Sequence, residues 1–129
     1  MAIIMMQRVL PEKSKYNDVD VSRKYQADVS SSSGDSDIIM LPLQVETVCF
    51  TFDPGDGSGT VYITSEKRAK VEIEAAGGAP VKWEPFTSAP TSDAQFDETE
   101  AGITAIKCSR ATGSGVYMNV ESGVVRNTD

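Results

Sequence analysis

Two groups of carboxylates in this chain have a spacing that could support chemistry. The first lies in residues 53–59, DPGDGSG, where clustered acids invite comparison with a calcium site. The run lacks the third acidic ligand and the terminal glutamate of a calcium-binding loop. It also lacks the lysine and the following helix of a phosphate-binding loop. Every residue in it suits a tight turn between strands, so we predict a hairpin turn and no metal site.

The second group consists of Asp93, Asp97, Glu98 and Glu100. Paired carboxylates hydrolyse glycosides, so a hydrolytic enzyme is one hypothesis for this segment. We expect no aromatic platform there to hold a sugar ring. Residues 87–100 are rich in Thr, Ser, Pro and acid, which predicts a solvated loop that aids solubility or steers a basic partner.

The chain contains no histidine and only two cysteines. The commonest general base and metal ligand is therefore missing, which excludes the Ser-His and Cys-His triads. Two thiolates cannot form a four-cysteine zinc site. The composition favours a protein that binds or builds, with no enzymatic activity, no cofactor and no metal.

The 129 residues carry 12 Lys and Arg against 19 Asp and Glu, a net charge of -7. This balance argues against partners with phosphate backbones and against anionic membrane surfaces, so we expect no nucleic acid and no membrane. The single positive charge near the start, Arg8, follows the apolar stretch instead of preceding it, unlike a signal peptide. We therefore predict synthesis in the cytoplasm without export, and free thiols.

Residues 45–129 predict an all-β domain. In residues 47–52 the alternation puts Val48, Phe50 and Phe52 on the face opposite Cys49. Further alternating runs lie at 60–64, 70–74, 81–84, 104–108 and 116–120. Turns that recur about every 8–12 residues, with no sustained helical period, predict an antiparallel β-sandwich, immunoglobulin-like or jelly-roll-like, of about seven or eight strands.

The same alternation assigns faces to the remaining candidate residues. Trp83 shares the inward face of its strand, and Tyr62 and Tyr117 fall on polar faces, where they could serve an interface or a sugar platform. Cys49 points outward and Cys108 inward. Such a pair cannot approach the roughly 4.4–6.8 Å Cα separation of a disulfide, so we expect no bridge.

Residues 1–44 predict an extended N-terminal arm or linker, with a boundary at residue 44. A polar stretch and the run SSSSG at 30–34 separate a short apolar start from the apolar segment at 38–43. The apolar segment could add an edge strand to the sandwich or pair with a neighbouring subunit. Such an arm could order on binding and cover a large surface.

Several stretches resemble small virion proteins of tailed bacteriophages over about residues 45–123. The stretches are the strand at 57–63 (GSGTVYI), the GG at 77–78 before VKWEPF, the strand at 101–108 (AGITAIKC) and the strand at 111–120 (ATGSGVYMNV). The resemblance implies a β-sandwich with a structural role in the particle, as a head decoration (cement) protein or as a tail or connector component. It implies no catalytic residues.

We therefore expect a virion structural protein whose partners are the major capsid protein or other virion proteins. A small sandwich gains from oligomerisation, so a homo-oligomer such as a trimer is expected. The residues predicted to bind partners are Ile3, Ile4, Met5, Met6, Val9, Leu10, Ile38, Ile39, Met40, Leu41, Tyr62 and Tyr117. The alternative from another class is a carbohydrate-binding module for host-surface glycans. Exposure of Trp83 beside a tyrosine would favour that module, and its burial would favour assembly.

Overall fold

A computed structural model describes residues 2–9, 23–42, 47–86, 90–99 and 102–124. This part of the chain is mostly strand, and the predicted all-β sandwich is confirmed. It contains eleven strands, more than the seven or eight predicted, and one helix. The strands are β1 (Ile3–Met5), β2 (Gln7–Val9), β3 (Arg23–Ser31), β4 (Gly34–Asp35), β5 (Ile38–Met40), β6 (Thr47–Asp53), β7 (Ser58–Thr64), β8 (Glu84–Pro85), β9 (Gln95–Thr99), β10 (Ala105–Thr112) and β11 (Val116–Val124). The helix, α1, spans Arg68–Ala75 and is too short to cross a membrane.

The strands form two sheets that pack face to face. Sheet A has the order β1-β5-β10-β7-β8, with β4 also paired to β10, and sheet B has the order β2-β3-β11-β6-β9. All pairs are antiparallel except β1 and β5, which run parallel. Strands β6 and β7, and likewise β10 and β11, follow one another in the chain but lie in opposite sheets. The turn predicted at 53–59 is present, but it connects the two sheets, so the predicted hairpin is wrong.

The main core lies between the sheets, where the sequence alternation predicted it. Val48, Phe50 and Phe52 of β6 are buried, whereas Thr51 between them is exposed. Val61 and Ile106 supply the facing layer from sheet A. A half-buried sheet with one solvated face requires this period of two.

The N-terminal third of the chain belongs to this sandwich. Strands β1 and β2 close one side of it, since β1 pairs with β5 of sheet A and β2 with β3 of sheet B. Met6, between them, is buried in the main core. The predicted boundary at residue 44 is therefore wrong for the described residues, because five strands before it complete both sheets. The segment 10–22 of the predicted arm lies outside the described residues.

A second apolar cluster covers the outer face of sheet A. Val71 of α1 packs with Ile38, Met40, Val81 and Ala105. Strand β5 is consequently buried on both faces, which explains its uninterrupted apolar run. It lies between β1 and β10, so the predicted edge strand at 38–43 is instead an inner one.

Three segments differ in type from the prediction. Residues 81–83, within the run at 81–84 predicted as a strand, precede the two-residue strand β8 and are not part of it. Residues 70–74, predicted as a strand with Val71 and Ile73 inward, belong to α1, where Val71 is buried and Ile73 is 54% exposed. Five residues of alternating polarity are compatible with a strand or with a helix. In α1 only Val71 is buried, where it packs against sheet A. Residues 95–99, predicted as loop, form β9 because they pair with β6.

Candidate functional site

Most residues predicted to bind partners are not available at the surface. Met6 and the run Ile38, Ile39, Met40 and Leu41 are buried, with Met6 7% exposed and the other four 2% or less. The apolar segment at 38–41 was predicted to be an anchor, but both faces of sheet A are covered there, so its residues form core instead.

The remaining predicted anchors divide into partly buried and exposed side chains. Ile3 and Ile4 pack against the two cores, one on each face of β1. Met5 is 51% exposed and Tyr117 43% exposed. Tyr62 is half-buried. Val9 belongs to β2, and Leu10 lies outside the described residues.

The outer face of sheet B is the broad open surface of the described structure. Its rows follow from the strand register: Glu98, Cys49, Glu121 and Gln26 form one, Phe96, Thr51, Asn119 and Asp28 the next, and Asp53, Tyr117 and Ser30 the third. No described helix or loop segment packs over these rows, whereas α1 covers the outer face of sheet A. These three rows contain four carboxylates, and the next row of the register, Thr47, Gly123 and Lys24, brings one lysine to the same face.

Two exposed aromatic rings lie on this face. Phe96 is 75% exposed and neighbours Thr51 in the register, and Tyr117 lies two strands away beside Asp53. Sequence reasoning missed Phe96 because it took residues 87–100 for a loop. The five residues QFDET at 95–99 contain neither Gly nor Pro, and this is the signal that could have identified the strand.

Polar contacts order the part of this face around Tyr117. Asn119 donates from Nδ2 to Asp28 Oδ1 across the β11–β3 pair. Partial desolvation, together with the hydrogen bond to Asp28 and its charge, raises the pKa of Tyr117. The phenol is therefore neutral at physiological pH and can donate or accept a hydrogen bond.

On the opposite side of the sandwich, Trp83 covers the buried ammonium group of Lys107, which pairs with the more exposed Asp35. Lys107 Nζ lies 2.9 Å from Asp35 Oδ2 and 4.4 Å from the centroid of the Trp83 ring. The indole Nε1 donates to Glu74 of α1, 2.9 Å from Oε1. Tyr62 is also near, with its ring centroid 6.0 Å from Lys107 Nζ. Trp83 is half-buried and packs against the second apolar cluster, on the outer face of sheet A, and not toward the main core as predicted. One face of its ring and its N–H group are both engaged within the protein.

The carboxylates of the glycine-rich turn at 53–59 accept hydrogen bonds within the turn and from a neighbouring turn. Asp53 Oδ1 accepts from the Gly55 amide at 2.8 Å. Asp56 Oδ1 accepts from the amide and the hydroxyl of Ser114, at 2.8 and 2.9 Å, and these bonds lower the pKa of Asp56. The turn between β6 and β7 is thereby fastened to the turn between β10 and β11. No group of three potential metal-ligating side chains occurs among the described residues.

Close backbone packing between the two turns explains why Gly57 is a glycine. A Cβ atom at this position would lie 1.9 Å from the carbonyl oxygen of Thr112 and 2.5 Å from the Cα of Gly113. Both are backbone atoms that cannot rotate away, so the contact admits no side chain.

The acidic segment does not bring Asp97 and Glu98 together on one surface. Asp97 aligns with Phe50 and Glu98 with Cys49, so their side chains belong to opposite faces of β9. Asp97 Oδ1 accepts from the amide of Glu98 at 2.7 Å. Glu100 lies outside the described residues. A pair of facing carboxylates, as a glycosidase requires, is not formed by Asp97 and Glu98.

Both cysteines are free, on strands of different sheets. Burial raises the pKa of Cys108 to about 11. The pKa of Cys49 is also raised, first by partial burial and then by the charges of Glu98 and Glu121. Neither environment activates a thiolate.

Comparison of the chain with family models, curated proteins and solved structures finds no match.

Proposed function

We propose that this chain is a structural protein of a tailed-bacteriophage virion, a head decoration (cement) protein, and that it docks on a basic surface of the major capsid protein through the outer face of sheet B. The observation that carries the proposal is the contrast between the two outer faces. The outer face of sheet A is covered by α1, and that of sheet B has no such cover among the described residues.

The charge of this face specifies the kind of partner. Asp28, Asp53 and Glu98 lie on this face, on the strands β3, β6 and β9. An interface with arginines and lysines opposite them would be steered by long-range attraction and kept in register by the charge pattern. The exposed Phe96 ring supplies an apolar anchor at one margin of the face.

The size of the face supports docking by an oligomer. Four strands at about 4.8 Å spacing and about seven residues at roughly 3.4 Å rise give a flat footprint of about 460 Å². A stable single interface buries about 800 Å² on each partner. One copy would therefore bind weakly, and linked copies would gain avidity. This is the physical argument for the homo-oligomer, such as a trimer, expected from the size of the domain.

The engagement of Trp83 favours the assembly role over the carbohydrate-binding module. Its indole N–H is bonded to Glu74 and one face of its ring lies over Lys107. A sugar platform needs an aromatic face that is free to stack. A tail or connector component remains the nearest alternative within the virion class.

The first test is whether the chain is part of the particle. Peptide mass spectrometry and cryo-electron microscopy of gradient-purified particles, from the phage that encodes it, should find the chain in many copies on the head. Its density on the tail or at the connector would assign it to the alternative position. Its absence from purified particles would refute the virion role.

The second test addresses the docking face. Particles produced without the protein are mixed with purified wild-type chain, with Thr51→Arg or with the control Glu72→Arg. Thr51 is at the centre of the acidic face, and Glu72 is exposed on α1. Thr51→Arg should reduce bound copies at least about tenfold by placing a cation among the carboxylates. Rebinding of Thr51→Arg at the wild-type level would refute the assigned face.

A further inference from the structure

A groove of about 520 Å³ opens on the side of the sandwich where β8 ends sheet A and β9 ends sheet B. Its apolar lining comes from Ile63, Phe86 and Ile103, each packed against the main core. The ring of Phe86 meets that of Phe50 edge-on, with centroids 5.1 Å apart and an interplanar angle of 87°. An apolar side chain that entered this groove would extend the existing core.

The charged side chains that line the groove have a negative balance. Among the lining side chains, Glu66, Glu84 and Glu98 are accompanied by one cation, Lys82, and Glu66 is also paired with Lys70 of α1, whose Nζ lies 3.7 Å from Glu66 Oε1. The Lys82 Nζ lies 3.8 Å from Glu84 Oε1, but both side chains are largely exposed, so this pair holds neither group firmly. A ligand with Lys or Arg would gain from this rim, and an acidic one would be repelled.

Strand β9 provides backbone groups next to the groove. Within the described residues it pairs with β6 alone, and its central residues Phe96, Asp97 and Glu98 are all exposed. The outer edge of such a strand presents N–H and C=O groups that another extended chain can pair with. Its two acidic side chains disfavour pairing with a second copy of the same strand.

The opposite side of the sandwich shows how this fold accommodates an extended segment. There, β1 pairs with the edge of sheet A and β2 with the edge of sheet B, and Met6 between them enters the core. On that side, the pairing of two short strands and the burial of one apolar side chain, Met6, are sufficient to close the sandwich.

We propose that the groove binds an extended segment of a partner protein that is both apolar and basic. The segment adds to β9 as a further strand, places one apolar side chain against Ile63, Phe86 and Ile103, and sets Lys or Arg side chains against Glu84 and Glu98. This binding uses the groove and the outer edge of β9, whereas the docking proposed above uses the outer face of sheet B, and the two surfaces share Glu98.

The test is a titration of the ¹⁵N-labelled full chain, followed by amide chemical shifts, with two capped peptides. One is Lys-Thr-Val-Leu-Val-Thr-Lys, and the other has Glu at both ends. The basic peptide should shift the amides of β9 and of Gly102 and Ile103. It should bind at least about fivefold more tightly than the acidic peptide, since two exposed charge pairs change sign.

Matched variants separate the groove from general charge attraction. The double change Glu84→Lys with Glu98→Lys should reverse the preference between the two peptides. Glu72→Lys makes the same kind of charge change on α1 and should leave the preference between the two peptides unaltered. Thr51→Arg should change that preference by less than twofold. The proposal is overturned if neither peptide binds, if the shifts map to another surface, or if the double variant keeps the wild-type preference.

Discussion

Substitution of Lys107 and substitution of Asp35 should lower the free energy of unfolding by different amounts, because the two side chains differ in burial. Lys107 is buried, and its side chain is 7% exposed. The side chain of Asp35 is 38% exposed. Removal of the carboxylate leaves an ammonium group that water barely reaches, whereas removal of the ammonium leaves a carboxylate that water can solvate.

The magnitudes follow from this asymmetry. Breaking a buried ion pair by removing one partner costs about 3–5 kcal/mol. For Asp35→Ala the exposure of the pair and the remaining contact with the Trp83 ring reduce this to about 2–3 kcal/mol. For Lys107→Met the aliphatic packing is retained and the loss is about 1 kcal/mol. The double variant should resemble Lys107→Met and be more stable than Asp35→Ala alone.

The pH dependence has a defined sign. Burial alone would raise the pKa of Asp35, but hydrogen bonds from Lys107 and Ser109 and the lysine charge hold it below its ordinary value. The stabilisation is therefore present above the ordinary aspartate pKa of about 4 and is lost as the pH falls through the lower folded value. The stability difference between wild type and Lys107→Met should shrink over that acidic range.

Urea unfolding measures these differences directly. Trp83 is the single tryptophan of the chain and its ring lies over Lys107, so its fluorescence reports on the site, and far-UV circular dichroism reports on the sheets. If Lys107→Met is as destabilising as Asp35→Ala, or if the double variant is the least stable of the three, the assignment of Lys107 as the costly buried charge is incorrect.

Three further outcomes are expected. Gly57→Ala should destabilise by about 1–3 kcal/mol in urea unfolding, because its Cβ would collide with the Thr112 carbonyl; an unchanged midpoint would contradict the close turn contact. Met6→Ala should destabilise the isolated chain by about 2–3 kcal/mol, and a wild-type melting curve would instead support a free N-terminal arm. With a thiol reagent at pH 8, Cys49 should react in the folded chain and Cys108 only on unfolding, and labelling of both at one rate would refute their different burial.

Local patterns determined the parts of this fold that depend on one strand at a time. The alternation at 47–52 predicted which face of β6 is buried and placed Cys49 on the other face. The glycines and aspartates at 53–59 predicted a turn. These features follow from the period of two in a strand and from the backbone freedom of glycine, both of which can be read from neighbouring residues.

Pairing between distant segments decided the rest. The same apolar residues at 3–6 and 38–41 suit a docking arm or a core, and only the parallel alignment of β1 with β5 and the cover of α1 bury them. The segment at 95–99 became a strand because β6 offered it an edge. Charge and the alternation of apolar residues thus determined an acidic all-β protein from sequence alone. The tertiary structure decided which apolar residues are surface and which sheet face stays open, because register and layer packing depend on partners far apart in the chain.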